Sequence, residues 1–277
     1  MANDGEEIWP SAPTDEDLLR VAVALIDAGR ATLPIQIEGL PLGLGDPRRQ
    51  LTSMEANRAD FVRIWLASLL QRVLDGYDAT LLLREERLDL DARAHIRIAF
   101  EHLCAFAWIA AEPEDTTRPL RVGRFGMEFY ERSMLELSQH YKLTETQMKE
   151  LGFAVQFNES ELKKPPSARQ LCEELDHDWG GTLPMLEPGG AKSFSSWYSY
   201  LFRGASAFVH PTSAGIEPML VRARGLFVIE PSRRRERKVL ELCAMHLSVA
   251  IAVASLKCPD FIDEAPLQAL ADLRLHP

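Results

Sequence analysis

The segment from Phe100 to Ala111 is apolar on nearly every side when wound as a helix. Such a helix has no stripe to show to water, so other elements must surround it. Ala99, Leu103, Phe106, Ala107 and Ala110 give its core face, and Asp89 or Asp91 opens it. The fold to expect is therefore a multi-helix bundle built round this segment. The helix before it, from about Ser53 to Glu86, fits that role. Phe61, Trp65, Leu69, Val73 and Tyr77 recur every four residues, with Leu66, Leu70 and Leu74 on the adjacent stripe.

The remaining elements follow from their boundary signals. Residues 1–13 are expected to be disordered. Thr14 N-caps a helix to about Gly29, with Asp17 as the acidic third position. Leu33 to Asp46 is dense in Gly and Pro and reads as an irregular connection. Further helices are expected over Thr117–Tyr141, after a capping box at Thr144–Gln147, over Ser167–Trp179 and over Ser193–Val209. Met219 to Glu230 has strand character around Gly225 and suggests a small β-hairpin. Ser232 is expected to cap a final long helix, Arg235 to Leu256, before a short one near Pro266–Leu273. The expectation is all-α: a single helical domain over residues 14–277, with one small hairpin.

The 277-residue chain is 46% hydrophobic, enough for one large core, and carries a formal net charge of -10. An acidic chain disfavours broad, non-specific nucleic-acid binding but allows a local basic site. Cys104, Cys172, Cys243 and Cys258 form no C-x-x-C and read as buried apolar residues of a reducing compartment. The N-terminus has no secretory pattern. The longest apolar run, Leu247–Leu256, falls short of the roughly 20 residues that span a bilayer. A cytoplasmic location without membrane contact is expected.

No phosphate-loop, dinucleotide or nucleophile-elbow glycine pattern occurs, so no cofactor is expected. A di-metal bundle needs Glu-x-x-His pairs. Glu136 with His140, Glu101 with His102, and Asp176-His177-Asp178 all miss that spacing. No metal is expected, and a metal-dependent bundle enzyme is the remote alternative.

Chemistry concentrates in Phe202-Arg203-Gly204-Ala205-Ser206-Ala207-Phe208-Val209-His210-Pro211. Arg203 and His210 are seven residues apart, almost two helical turns, with Ser206 between them. Pro211 ends the helix, placing His210 at its C-terminus, where the macrodipole favours a charged imidazole. Such a pair suits an anion such as phosphate, or proton transfer near neutral pH. It equally suits a polar clamp inside a bundle. A second pair, Arg97 and Glu101, lies one helical turn apart on a stripe that continues into Cys104 and Trp108. Glu101 is expected to face a mostly apolar side, paired with Arg97 or with Arg118, Arg121 or Arg124. Arg222, Arg224, Arg233, Arg234, Arg235, Arg237 and Lys238 form a basic cluster, read as a solvated helix start or a phosphate surface. Trp9, Trp179 and Trp197 fall outside the strong core patterns, so no stacking platform is expected.

Arg203-x6-His210 resembles the R-x4-6-H signature of the HEPN superfamily, helical bundles found in bacterial toxins and defence systems. The wider pattern is similar to an uncharacterised HEPN-like branch, in which an aromatic and a polar residue precede Ser-x3-His-Pro. There an upstream helix carries Arg-x3-Glu. The matching positions here are Phe202, Arg203, Ser206, His210 and Pro211, with Arg97 and Glu101 upstream, over roughly residues 55–255. The resemblance implies a HEPN-like core with extensions, acting as a homodimer on RNA or nucleotide phosphate. An antitoxin or other partner protein is also implied. Arg203 would hold phosphate. His210 would be the acid or base for metal-independent attack by a ribose 2′-hydroxyl, with Ser206, Arg97, Glu101, Arg121 and Arg124 in support. HEPN ribonucleases carry Asn, Asp or His after the arginine, where this chain has Gly204. A non-catalytic interaction or regulatory module is the alternative.

Overall fold

The computed structural model describes residues 13–33, 58–112, 118, 121, 122, 124, 166–179, 193–209, 220–223, 226–229 and 236–258. The architecture is all-α. Among the described residues there are six helices: α1 (Asp15–Thr32), α2 (Arg58–Glu85), α3 (Asp89–Ala111), α4 (Ala168–Trp179), α5 (Phe194–Val209) and α6 (Arg237–Lys257). Strands β1 (Leu220–Ala223) and β2 (Leu226–Ile229) pair antiparallel, with Leu220 opposite Ile229.

The apolar-all-round segment does what its composition demands. Every residue from Leu103 to Ala110 is buried, and α3 packs against α2, α4, α5 and α6 at once. α1 closes against α2 and α6, while α4 leans on α5. Each fully buried Leu, Ile or Phe of this core contributes roughly 1.5–3 kcal/mol relative to exposure.

Local chemistry sets the helix ends. Thr14 and Asp17 form the expected capping box, and α1 runs three residues past Gly29. Ser167 and Gln170 make a similar reciprocal cap before α4. α2 turns into α3 through Glu86–Leu88. Leu88 N–H donates to the Leu83 carbonyl at 2.8 Å and Arg87 N–H to the Arg84 carbonyl at 2.9 Å. This is the Schellman pattern, and it holds Arg87 at φ 61°, a left-handed conformation that favours glycine. Arg118 reaches the carbonyls of Ala110 and the C-cap Glu112 at the α3 end, and of Lys257 at the α6 end. One buried guanidinium thus serves two helix C-termini.

Three expectations are corrected. The α2 core stripe runs through Leu66, Leu70, Val73, Leu74, Tyr77 and Leu81, whereas Trp65 and Leu69 are only partly buried. The α6 N-cap is Glu236, with no side-chain cap bond, instead of Ser232, which lies outside the described residues. The Glu236 carboxylate is held by Arg93. α6 is also long and apolar enough to cross a membrane, although Leu247–Leu256 alone is not, and most of its apolar window is buried in the bundle. Of the segment 1–13 expected to be disordered, only Pro13 is described, and its carbonyl accepts from Arg237. The helix after Thr144–Gln147, the one near 266–273 and most of Thr117–Tyr141 fall outside the described residues.

Candidate functional site

The helix that carries Arg203 and Ser206 is α5, and its neighbour α4 fixes where it starts. The Asp176 carboxylate accepts the backbone N–H groups of Phe194, at 2.5 Å, and Ser195, at 3.1 Å. Ser193 Oγ accepts that of Ser196 at 3.1 Å. Three of the four N–H groups left open at a helix start are thereby satisfied, two of them by a negative charge at the positive end of the helix. Phe194, Trp197 and Leu201 turn this helix into the core. It ends at Val209, immediately before His210 and Pro211. Arg203 and Ser206 are helical positions whose side chains lie outside the described residues, as does His210 entirely.

The two short sequence patterns converge at the contact between α3 and α5. The Arg97 guanidinium lies 4.3 Å over the Phe202 ring, and Arg97 Nε donates to Glu101 Oε1 at 3.2 Å. Tyr198 stacks on Phe202 at a centroid distance of 4.1 Å. Tyrosine, phenylalanine and arginine thus form a ladder along one seam. Glu101 does not face an apolar side: its side chain is 42% exposed. Partial exposure keeps this end of the Arg97–Glu101 pair in contact with water.

The other arginines named with Glu101 go elsewhere. Arg121 pairs with Glu112 at 2.5 Å and with Asp178 at 3.6 Å, donates to the Trp108 carbonyl, and lies 4.3 Å over the Trp108 ring. Arg124 lies 5.7 Å from that ring's centroid. Trp108 Nε1 donates to Glu174 at 2.6 Å. Arg121, Arg124 and Glu174 therefore build a second cationic–aromatic cluster at the α3–α4 contact.

A cleft with about 70 Å³ of interior space opens between α3, α5 and the start of α6. Ile96, Leu201, Val239 and Leu242 line its apolar part, with Tyr200, Arg93, Glu236 and Lys238 also on its walls. Tyr200 is exposed. Arg93 Nε donates to Glu236 at 3.1 Å, and Lys238 pairs with Glu241 at 3.2 Å. Behind them, Arg84 is nearly buried and pairs with Asp15 at 2.7 Å and Glu85 at 3.0 Å. Asp89 is buried in the same region, where burial and the Glu236 charge raise its pKa, while Arg84 and Arg93 pull it back. Arg237, from the basic cluster, binds Asp15 and Glu241. Among the described residues, no three His, Cys, Asp or Glu side chains gather as a metal ion requires.

Sequence reading missed a polar pair sealed in the core. The Tyr77 hydroxyl lies 2.7 Å from His246 Nδ1, and the Phe100 and Trp197 rings each sit 5.1 Å from the imidazole. Burial, with a smaller contribution from Lys238, pushes the His246 pKa down to about 3, and burial drives that of Tyr77 well up. Both groups are therefore neutral at pH 7. The signal was present, since His246 interrupts an otherwise apolar face of α6, but its partner is 169 residues away. Trp179 and Trp197 were also misread, being only 5% and 2% exposed. Trp179 ends the short α4 and Trp197 lies in the first turn of α5, each next to loop sequence, which hides its periodicity.

The model of the Family of unknown function (DUF5677) matches residues 63–225, more than half of the chain. The match includes the Arg97–Glu101 pair and the whole Arg203–His210 segment, and stops short of α6. Neither the curated proteins nor the solved structures contain a match.

Proposed function

We propose, for a chain that belongs to this family of unknown function, an RNA- or nucleotide-phosphate-directed role on a HEPN-like helical core. Arg203 and His210 are the acting pair. The supporting observation is the Arg97–Phe202 contact: residues that the resemblance groups together are adjacent across α3 and α5. In this reading the paired strands after α5 are a small hairpin extension. Arg203 binds the scissile phosphate and stabilises the charge that grows on it. His210 takes the proton of the ribose 2′-hydroxyl as the 2′-oxygen attacks phosphorus. The bond from phosphorus to the 5′-oxygen breaks, and that oxygen receives a proton. Products are a 2′,3′-cyclic phosphate and a 5′-hydroxyl. In-line displacement places base and acid on opposite sides, so His210 of the partner subunit in a homodimer supplies the second group. The setting is cytoplasmic defence or stress, held in check by a partner protein.

The test is cleavage of a short labelled RNA by purified protein in the presence of a chelator. Cyclic-phosphate ends are expected, with a loss of about 100-fold or more in His210→Ala and Arg203→Ala at unchanged melting temperature. A wild-type protein that neither binds nor cuts RNA overturns the reading.

The same contact favours a second reading. Arg97 is already engaged by Phe202 and Glu101, and Gly204 replaces the polar residue that follows the arginine in HEPN ribonucleases. The ladder then braces a non-catalytic interaction module. A fall of several degrees in melting temperature for His210→Ala, with no cleavage by wild type, is the expected signature.

A further inference from the structure

The four cysteines are buried and none is in a disulfide, yet they are not equivalent. Cys104 on α3 and Cys172 on α4 bring their sulfurs to 3.6 Å, in hydrogen-bond contact, across 68 residues of sequence. Neither shows more than 2% of its surface. A disulfide needs an S–S distance of about 2.05 Å, so roughly 1.5 Å of closure separates the thiol pair from a bond. Closing it requires rotation about the two Cα–Cβ bonds and a shift of α4 towards α3. α4 is the short helix of the group, and it has more than the thiol pair at stake. It carries Glu174, which holds Trp108, and Asp176, which caps α5.

We infer that Cys104 and Cys172 are a disulfide-forming pair that ties α4 to α3, oxidised by exchange with a low-molecular-weight disulfide such as oxidised glutathione. One cysteine thiolate attacks the glutathione disulfide, giving a mixed disulfide and one glutathione thiolate. The second cysteine thiolate attacks the protein sulfur of that mixed disulfide and expels the other glutathione. Two protein thiols are oxidised, one glutathione disulfide is reduced to two thiols, and two protons leave the protein. Burial raises the Cys104 thiol pKa and shields both sulfurs. Oxidation therefore proceeds through transient opening of α4 and is slow in the closed protein. Cys243 and Cys258 are buried on α6 and at its C-cap.

The experiment incubates the full chain with oxidised glutathione at pH 8, with and without a urea concentration below the unfolding transition. Free thiols are then counted and non-reduced peptides mapped by mass. Thiols are expected to fall from four to two, with a single Cys104–Cys172 peptide, faster in urea. The oxidised protein is expected to melt about 5 °C or more higher, because the bridge closes a long loop. Cys172→Ala should fold, keep three thiols and show no shift. The proposal is overturned if all four thiols survive in urea, if the bridge joins another pair, or if glutathione stays attached without ring closure.

Discussion

Gly76 on α2 faces Ala99 on α3 so closely that a methyl group added to the glycine would lie 2.8 Å from Ala99 Cβ and 3.3 Å from its Cα. The obstruction includes backbone, so the two longest-packed helices would have to part. Gly76→Ala therefore loses stability by about 1–3 kcal/mol, outweighing the roughly 1 kcal/mol gain in helix propensity. Gly29 offers a contrast. A methyl there meets the Leu74 side-chain tip at 2.8 Å, which has rotamers to use. Urea unfolding should rank Gly76→Ala clearly below Gly29→Ala, and equal midpoints would refute the close crossing.

Acid should unfold the protein partly through His246. Its folded pKa, about 3, is below the unfolded value of 6.5, so the unfolded chain binds more protons between those limits. The stability due to neutral burial is full above pH 6.5 and is lost as pH falls toward 3. The slope approaches about 1.4 kcal/mol per pH unit for one proton. Unfolding midpoints at pH 7, 6 and 5 should drop more steeply in wild type than in His246→Phe. Parallel profiles would show that His246 is accessible to protons in the folded state.

Arg87→Gly should raise stability. Arg87 is exposed and held at φ 61° by the turn between α2 and α3. Relief of the left-handed strain is expected to add roughly 1 kcal/mol, observed as a melting shift of a few degrees upward. A lower melting temperature would mean that the arginine makes a contact worth more than the strain.

Asp176→Ala should loosen the start of α5. It removes the acceptor of two backbone N–H groups, for which a loss of about 0.5–2 kcal/mol is expected. Amide exchange at Phe194 and Ser195 should accelerate more than exchange in α3. If both helices respond alike, Asp176 supports the bundle generally and is no cap for α5.

The sequence by itself determined the all-α architecture and the central place of α3. A helix apolar from Leu103 to Ala110 has only one environment in which it is stable. The cap at Thr14 and the helix stop before Pro211 were equally legible, because each depends on residues within a turn of one another. Arg97 and Glu101 were readable as a pair for the same reason. What lies across helices was decided by tertiary structure alone. Arg97 over Phe202, Tyr77 against His246, Asp176 under α5 and Cys104 beside Cys172 join positions whose spacing carries no period. Exposure is decided there too: Glu101 sits on an apolar stripe by sequence, yet its side chain is partly exposed in the bundle.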